Sequence, residues 1–139
     1  MKSLVQLVLI DGGIVLLTSA MAVQTPATWV APKEADALNN PVKDDAAATK
    51  AGKDLYATYC TACHGAKGKG NGPAAAALTP KPSDHTSAKV QSQTDGALYW
   101  KITNGHPPMA SYKGALNDKQ RWELVNYIRD LGKTQAKKK

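Results

Sequence analysis

Cys60-Thr61-Ala62-Cys63-His64 is the stretch that determines how the rest of this sequence is interpreted. Two cysteines separated by two residues and followed directly by a histidine form the attachment signature of a c-type haem. The spacing suits this chemistry, because one helical turn places both sulfurs on the same side, where they can add to the two vinyl groups. We therefore predict one covalent haem c, with Cys60 and Cys63 as thioether anchors and His64 as an axial ligand of the iron.

Other interpretations of the same stretch explain less of it. A thioredoxin-like Cys-x-x-Cys pair needs a βαβ setting, and no strand pattern precedes Cys60. A zinc site usually needs four ligands at paired spacings, and the two further histidines, His85 and His106, are not placed at such spacings. A disulfide between the two cysteines, which are the only ones in the chain, would leave His64 without a role.

The first 22 residues predict an export signal. Lys2 supplies a positive start, residues 4–17 are mostly apolar, and Ala20-Met21-Ala22 is a small-residue cleavage site. The alternative is a retained membrane anchor, since about 20 residues can span a bilayer. We favour cleavage, because Asp11 in mid-span would cost about 2.5–3.5 kcal/mol on insertion scales. Export agrees with the haem prediction and implies a periplasmic or otherwise exported protein, because c-type haem is attached outside the bacterial cytoplasm.

The chain is basic, with 18 Lys and Arg residues against 11 Asp and Glu, a formal charge of +7. Removing residues 1–22, which contain Lys2 and Asp11, leaves 17 − 10 = +7. Such a charge suits redox partners with acidic docking faces, reached by steered encounter, although charge also serves solubility alone. The sequence contains no basic helix and no aromatic–basic module, so we do not expect it to bind nucleic acid. It also has no acid–base pair beside the haem motif, so we do not expect an enzyme with a small-molecule substrate.

Composition divides the chain into four parts. The export signal is followed by an extended leader, residues 23–47, in which three prolines prevent a long helix. Residues 48–132 carry helical patterns, and residues 133–139 form a basic tail with four lysines, which we expect to be solvated. Trp29 is the one large aromatic residue of the leader, and we expect it to pack on the domain, with contact to a partner as the alternative.

Three helices and no strand are predicted within the domain, which makes the fold all-α. The first covers residues 49–63. The second begins after the N-cap Thr94 and ends at Gly105, and the third begins at Asn117 with a capping box and ends at Gly132. The expected architecture is a small helical domain wrapped around one covalent haem.

The segment between the first two helices is rich in glycine. Residues 65–73 lack the Walker pattern and a preceding strand, so a phosphate cradle is disfavoured. We predict instead a tight loop around the haem edge, because the backbone must approach a flat ligand closely. A short helical turn is expected at residues 74–78, and His85 is expected to be a solvent-facing loop residue.

Met109 is the candidate for the second axial ligand. It is the only methionine after residue 22 and lies in a proline-rich loop off any helical stripe, so core filling does not explain it. A methionine–histidine pair raises the reduction potential and is the ligand set expected for an electron-carrying c-type haem. His106, three residues earlier, is the competing ligand and would give a lower potential. We prefer Met109, because methionine and histidine are the expected pair of ligands.

Residues 48–132 resemble the class I mono-haem cytochromes c of bacteria. The resemblance rests on Gly52-x-x-x-Tyr56-x-x-x-Cys60-x-x-Cys63-His64, the loop ending in Gly72-Pro73, the Met109 loop, and Leu124-x-x-Tyr127-Ile128 in the last helix.

The resemblance implies specific contacts within an all-α fold. The first and last helices would cross near Gly52, with Tyr56 against Leu124 and Tyr127. The carbonyl of Pro73 would accept a hydrogen bond from the free ring nitrogen of His64 and so fix the ring. One departure concerns the ligand loop: many relatives have a proline just after the methionine, whereas here two prolines precede it.

We expect an exported electron carrier of a respiratory or photosynthetic chain, and not an enzyme. The alternative is a fixed haem subunit of a membrane respiratory complex, because the leader from Trp29 to Pro41 loosely resembles the start of such subunits in some bacteria. An enzyme or gas sensor with an open iron position would require that Met109 not bind. The lysines expected to surround the exposed haem edge and meet acidic partners are Lys67, Lys69, Lys81 and Lys113.

Overall fold

The computed structural model describes residues 9–10, 13–14 and 28–137. Apart from a short antiparallel pair of strands, β1 (Leu9–Ile10) and β2 (Gly13–Ile14), its regular elements are helices. The rest of the predicted export signal, with its cleavage site, lies outside the described residues. None of the helices in the described part of the chain is long and apolar enough to cross a membrane.

The haem motif spans the junction of two helices. Helix α1 (Ala46–Tyr59) begins at Asp45, whose carboxylate accepts hydrogen bonds from the second and third amides that follow it. This strong N-cap explains why the helix begins a few residues before the predicted start at 49. Cys60 ends α1 and is followed by the single-turn helix α2 (Thr61–His64). The predicted first helix is therefore two helices with a break at Cys60.

Helices α3 (Ala88–Gln91) and α4 (Asp95–Asn104) follow the glycine-rich segment. The hydroxyl of Thr94 accepts a hydrogen bond from the third amide of α4, and Gly105 ends the helix with φ of 65°. Both boundaries agree with the sequence prediction for the second helix. Helix α3 was not predicted, because it is only one turn long.

Helix α5 (Asp118–Ala136) is the longest element and begins with the predicted capping box of Asn117 and Gln120. The prediction that Gly132 ends it is wrong, since the helix continues for one more turn. A Cβ atom at Gly132 would overlap the side chain of Gln91, so this glycine allows close packing and does not terminate the helix.

The crossing of α1 and α5 forms the centre of the core, as the resemblance implied. A Cβ atom at Gly52 would overlap the backbone carbonyl of Glu123, so only glycine permits this approach. The Tyr56 side chain is 1% exposed and meets Tyr127 edge to face, with ring centroids 5.1 Å apart. The other buried members of the cluster are Val90, Leu98, Ile102, Leu116, Trp122, Leu124, Val125, Ile128 and Leu131.

The described part of the leader, residues 28–45, packs along α4 and α5. A 3-10 helix (Lys33–Ala37) buries Ala35 against Gly96, where a Cβ atom would overlap the Ala35 carbonyl. The side-chain amide of Asn40 donates to Asp95 at 3.0 Å and to the Asn126 side chain at 2.8 Å. These contacts attach the leader to both helices.

Candidate haem site

The two cysteine thiols lie one helical turn apart. The amides of Cys63 and His64 both donate to the Cys60 carbonyl, at 3.2 and 2.8 Å, which closes this turn. Both thiols are free and partly buried. Burial, together with the neighbouring Cys63, raises the pKa of Cys60 to about 12, so this thiol is uncharged at neutral pH. The pair therefore has the chemistry and spacing that two vinyl groups of a haem require.

His64 is 8% exposed and presents one free ring nitrogen. Its Nδ1 donates to the Ser83 carbonyl at 3.0 Å, which leaves Nε2 available as a metal ligand. Burial lowers the pKa of His64, although the hydrogen bond to Ser83 opposes this shift. The ring is therefore held in the neutral form that binds iron.

The sequence-based partner of His64 was Pro73, which is exposed in this structure. Here the acceptor is Ser83, ten residues further along the chain. A neutral imidazole has only one N–H group, so the hydrogen bond expected to Pro73 is replaced by the one to Ser83 in this structure.

The glycine-rich loop folds back over α2. The amide of Gly70 donates to the His64 carbonyl at 2.8 Å, and that of Gly72 donates to the Cys63 carbonyl at 3.0 Å. Gly68 adopts φ of 70°, a left-handed conformation that glycine adopts without strain. Its carbonyl accepts a hydrogen bond from the amide of His85. A 3-10 helix (Ala75–Ala77) follows, as predicted. The loop therefore lies against the backbone of the haem motif.

His85 was predicted to face solvent, and this prediction is wrong. Its ring stacks on that of His64, with centroids 4.0 Å apart and planes 21° apart. Its Nδ1 lies 3.0 Å from the hydroxyl of Tyr56. Burial and the proximity of His64 lower the pKa of His85 to about 3. The only signal in the sequence was indirect: a tyrosine on the core face of α1 needs a hydrogen-bond partner for its hydroxyl.

Met109 lies in a tight hairpin between α4 and α5. His106 and Met109 exchange two backbone hydrogen bonds, of 2.9 and 2.8 Å, around the two intervening prolines. The Met109 side chain is partly buried and packs against the core cluster. Beyond the hairpin, Tyr112 donates its amide to the Ile102 carbonyl at 3.1 Å and its hydroxyl to the Tyr59 carbonyl at 2.9 Å. The ligand loop is thus fastened both to α4 and to the end of α1.

The competing ligand, His106, is exposed and contacts the leader. Trp29 stacks on it, with ring centroids 5.2 Å apart, and the Lys101 ammonium lies 5.2 Å from the Trp29 ring. This confirms the prediction that Trp29 packs on the domain. It also shows that one face of the His106 ring is covered by an aromatic side chain.

The four lysines assigned to the haem edge differ in their surroundings. Lys81 donates to the carbonyls of Ala75 and Ala76 at 3.1 and 3.0 Å, and Lys69 lies 3.8 Å from the Asp84 carboxylate. Lys67 and Lys113 are exposed. The last two are therefore the better candidates for contact with a partner.

These residues together fit a covalent haem. They supply two free thiols one turn apart, a buried neutral imidazole with one nitrogen available, and a thioether on a fastened loop. Such a motif in a small all-helical fold defines a mono-haem c-type cytochrome.

Comparison with known proteins agrees with this class. Residues 47–128 match the family model described as "Cytochrome C oxidase, cbb3-type, subunit III", and the chain belongs to this family. No curated protein matches the chain.

Three solved structures are similar to this chain. A chain of the Kuenenia stuttgartiensis reducing HAO-like protein complex Kustc0457/Kustc0458 is 30% identical, with a TM-score of 0.60, over 68% of this chain and 49% of that chain. The KustC0563 c-type cytochrome is 26% identical, with a TM-score of 0.51, over 58% of this chain and 95% of that chain. Cytochrome cL of Methylophaga aminisulfidivorans shares the fold at 17% identity, with a TM-score of 0.51, over 89% of this chain and 82% of that chain. This chain thus spans about half the length of the first of these relatives.

The family and the site establish the cofactor. A cytochrome of this family carries covalent haem c, with iron, and the free thiols of Cys60 and Cys63 are available to attach it. The predictions of a mono-haem cytochrome c, an all-α fold and a covalent haem are confirmed.

Proposed function

We propose that this cytochrome carries single electrons through an iron held by His64 and Met109. The arrangement of the ligand loop supports this most strongly, because Tyr112 fastens the loop that bears Met109 to the carbonyl of Tyr59, directly before Cys60. The pKa of Tyr112 is raised by burial and then by Cys60 and Cys63, so this side chain lies beside the attachment motif. The loop is therefore anchored next to the motif whose histidine would supply the other iron ligand.

The haem supplies a one-electron couple, and a histidine–methionine pair sets it at a high potential. The chain's own groups keep the geometry constant between the two oxidation states. The Ser83 carbonyl holds the ring of His64, and the paired backbone hydrogen bonds of residues 106 and 109 hold the methionine hairpin. A site that moves little can exchange electrons without a catalytic residue, so we propose a carrier with no enzymatic reaction of its own.

We also propose that the carrier works outside the cytoplasm and docks on acidic redox proteins. The export signal predicted in residues 1–22 supports the location, and the charge of +7 supports the docking. Lys67 and Lys113, which are exposed on the loops that follow His64 and Met109, would contact the partner.

Replacement of the proposed methionine ligand tests the iron coordination. Met109→Ala should open one position on the iron and convert the ferric protein from low spin towards high spin. Cyanide should then bind more tightly, on the order of tenfold or more, because loss of a bond worth 1.4 kcal/mol already gives that factor. His106→Ala is the matched control and should keep the wild-type spectrum. The proposal fails if His106→Ala, and not Met109→Ala, opens the iron.

The second candidate is a fixed subunit of a membrane respiratory complex. It is favoured by the family description, which names an oxidase subunit, and by two exposed apolar residues of the leader, Val30 at 70% and Leu38 at 43%. Charged replacements at both positions, V30D and L38D, should then release the cytochrome from salt-washed membranes. A free carrier would be found in the soluble fraction with or without these replacements.

A further inference from the structure

The ring of His64 is held on its face as well as at its edge. The edge contact is the hydrogen bond from Nδ1 to Ser83, at 3.0 Å. The face contact is the stacked ring of His85, whose centroid is 4.0 Å away with the planes only 21° apart. A single hydrogen bond fixes one atom of an imidazole but leaves the ring able to turn about that bond. The stacked ring removes this remaining freedom, because turning would separate the two faces.

His85 is itself fixed from three directions. Its amide donates to the Gly68 carbonyl at 2.7 Å, and its carbonyl accepts from the side chain of Gln91 at 2.6 Å. Its Nδ1 is 3.0 Å from the hydroxyl of Tyr56. Its ring also meets Tyr56 edge to face, with centroids 5.7 Å apart. Backbone and side chain are therefore both held in place.

Tyr56 connects this arrangement to the core. Its side chain is 1% exposed and packs against Tyr127 where α1 crosses α5. The hydrogen bond between Tyr56 and His85 therefore connects the stacked ring to the centre of the core.

We propose that His85 is a positioning residue that fixes the plane of the axial ligand His64, through its stacked ring and its hydrogen bond with Tyr56. His85 contacts the ring of His64. The orientation of the imidazole plane decides how its orbitals align with those of the haem, so it governs the magnetic asymmetry and the potential of the site. The inference rests on the proposed function in one respect, namely that His64 binds the iron.

Proton NMR of the ferric holoprotein tests this inference, because the spread of the four haem methyl resonances reports the orientation of the axial ligand planes. His85→Ala removes the stacked face and should shift these resonances and broaden them, as the ring samples several orientations. His85→Phe keeps a flat face and should stay close to wild type. Tyr56→Phe removes only one oxygen and should produce a smaller shift in the same direction as His85→Ala.

Tyr127→Phe is the matched control for Tyr56→Phe. It also removes one hydroxyl from a tyrosine at the crossing of α1 and α5, but this tyrosine contacts Tyr56 and not His85. It should leave the methyl resonances at their wild-type positions. If His85→Ala does not mature with haem, Tyr56→Phe decides the question, because the shape of the core is unchanged. Wild-type methyl positions and line widths in both His85→Ala and Tyr56→Phe would overturn the inference.

The same spectra separate this inference from the proposed function. In the wild-type protein, an iron-bound methionine gives strongly upfield-shifted side-chain resonances. If these are present and His85→Ala leaves the haem methyls unchanged, only the positioning role fails. If they are absent, the Met109 ligation fails, while a shift of the haem methyls in His85→Ala still supports the role of His85.

Discussion

At the scale of single residues, the missing Cβ atom of Gly52 sets how closely α1 approaches α5. The glycine lies against the backbone of Glu123, one helical turn before Tyr56. A backbone carbonyl cannot move aside as a flexible side chain can, so the two helices must separate if any side chain is added. Because Tyr56 holds His85, this contact also supports the surroundings of His64.

Gly52→Ala should therefore destabilise the protein, by about 1–3 kcal/mol for an overpacked core, despite the better helix propensity of alanine. Denaturant unfolding of the ferric protein, followed by circular dichroism, measures this. Gly114→Ala is the control, since no atom lies within 4 Å of a Cβ atom there. Equal stability of the two variants would contradict the close-approach explanation.

Single residues also show the limits of prediction from sequence. The haem motif identified the two thiols and His64, because covalent attachment needs fixed local spacing. His85 was assigned wrongly, because its stacking on His64 depends on how the loop after the motif folds back, which no local pattern encodes. The hydrogen-bond acceptor for the His64 ring was missed for the same reason. The family resemblance suggested Pro73, whereas the contact with Ser83 depends on how the loop folds back.

At the scale of elements, caps predicted boundaries better than periodicity did. Thr94 and Asn117 mark the starts of α4 and α5 correctly, because N-cap hydrogen bonds are local. Gly132 failed as a stop signal, since its smallness serves the contact with Gln91. The break at Cys60 was also missed, because the sequence around the motif remains compatible with one continuous helix.

The start of α4 carries a partly buried ion pair that should respond to acid. Asp95 lies 2.8 Å from Arg129 and accepts from Asn40. Burial raises the pKa of Asp95, but the hydrogen bonds from Asn40 and Arg129 and the charges of Arg129 and Lys43 outweigh it and lower the pKa. The folded pKa is thus below the unfolded value of about 3.9. The stabilisation is present above that pH and is lost as the pH falls through the folded pKa.

Asp95→Asn should consequently lower the free energy of unfolding at neutral pH, and the difference from wild type should shrink as the pH falls below about 4. Urea unfolding at a series of pH values measures both effects. Asp54→Asn, an exposed carboxylate on α1, is the control and should follow the wild-type curve. A deficit for Asp95→Asn that stays constant with pH would show that the carboxylate charge is not the cause.

At the scale of the whole molecule, the leader and the surface charge lie outside the haem site, and they were predicted from sequence to different degrees. The leader was predicted as extended chain from its prolines, and in the structure its described part lies across α4 and α5 through Ala35 and Asn40. Composition identifies where a helix is disfavoured but not what the segment contacts. Net charge, in contrast, follows directly from the sequence, whereas the exposure of individual lysines does not.

Charge reversal tests whether the exposed lysines guide redox partners. The double variant K67E/K113E should be oxidised more slowly by the anionic complex ferricyanide, with a weaker dependence of the rate on salt. Lys50→Glu, together with Lys53→Glu, changes the net charge equally on the exposed side of α1 and controls for charge alone. Stopped-flow kinetics at several ionic strengths gives both quantities. Equal slowing in the two double variants would mean that overall charge, and not this face, controls the encounter.

The near-infrared absorption spectrum of the purified ferric holoprotein tests the proposed iron coordination most directly. A methionine sulfur bound to low-spin ferric haem gives a weak charge-transfer band in this region. We predict that the band is present in the wild-type protein and absent from Met109→Ala. A low-spin spectrum without the band would contradict Met109 as the ligand and point to His106, and a high-spin spectrum would show an open iron position.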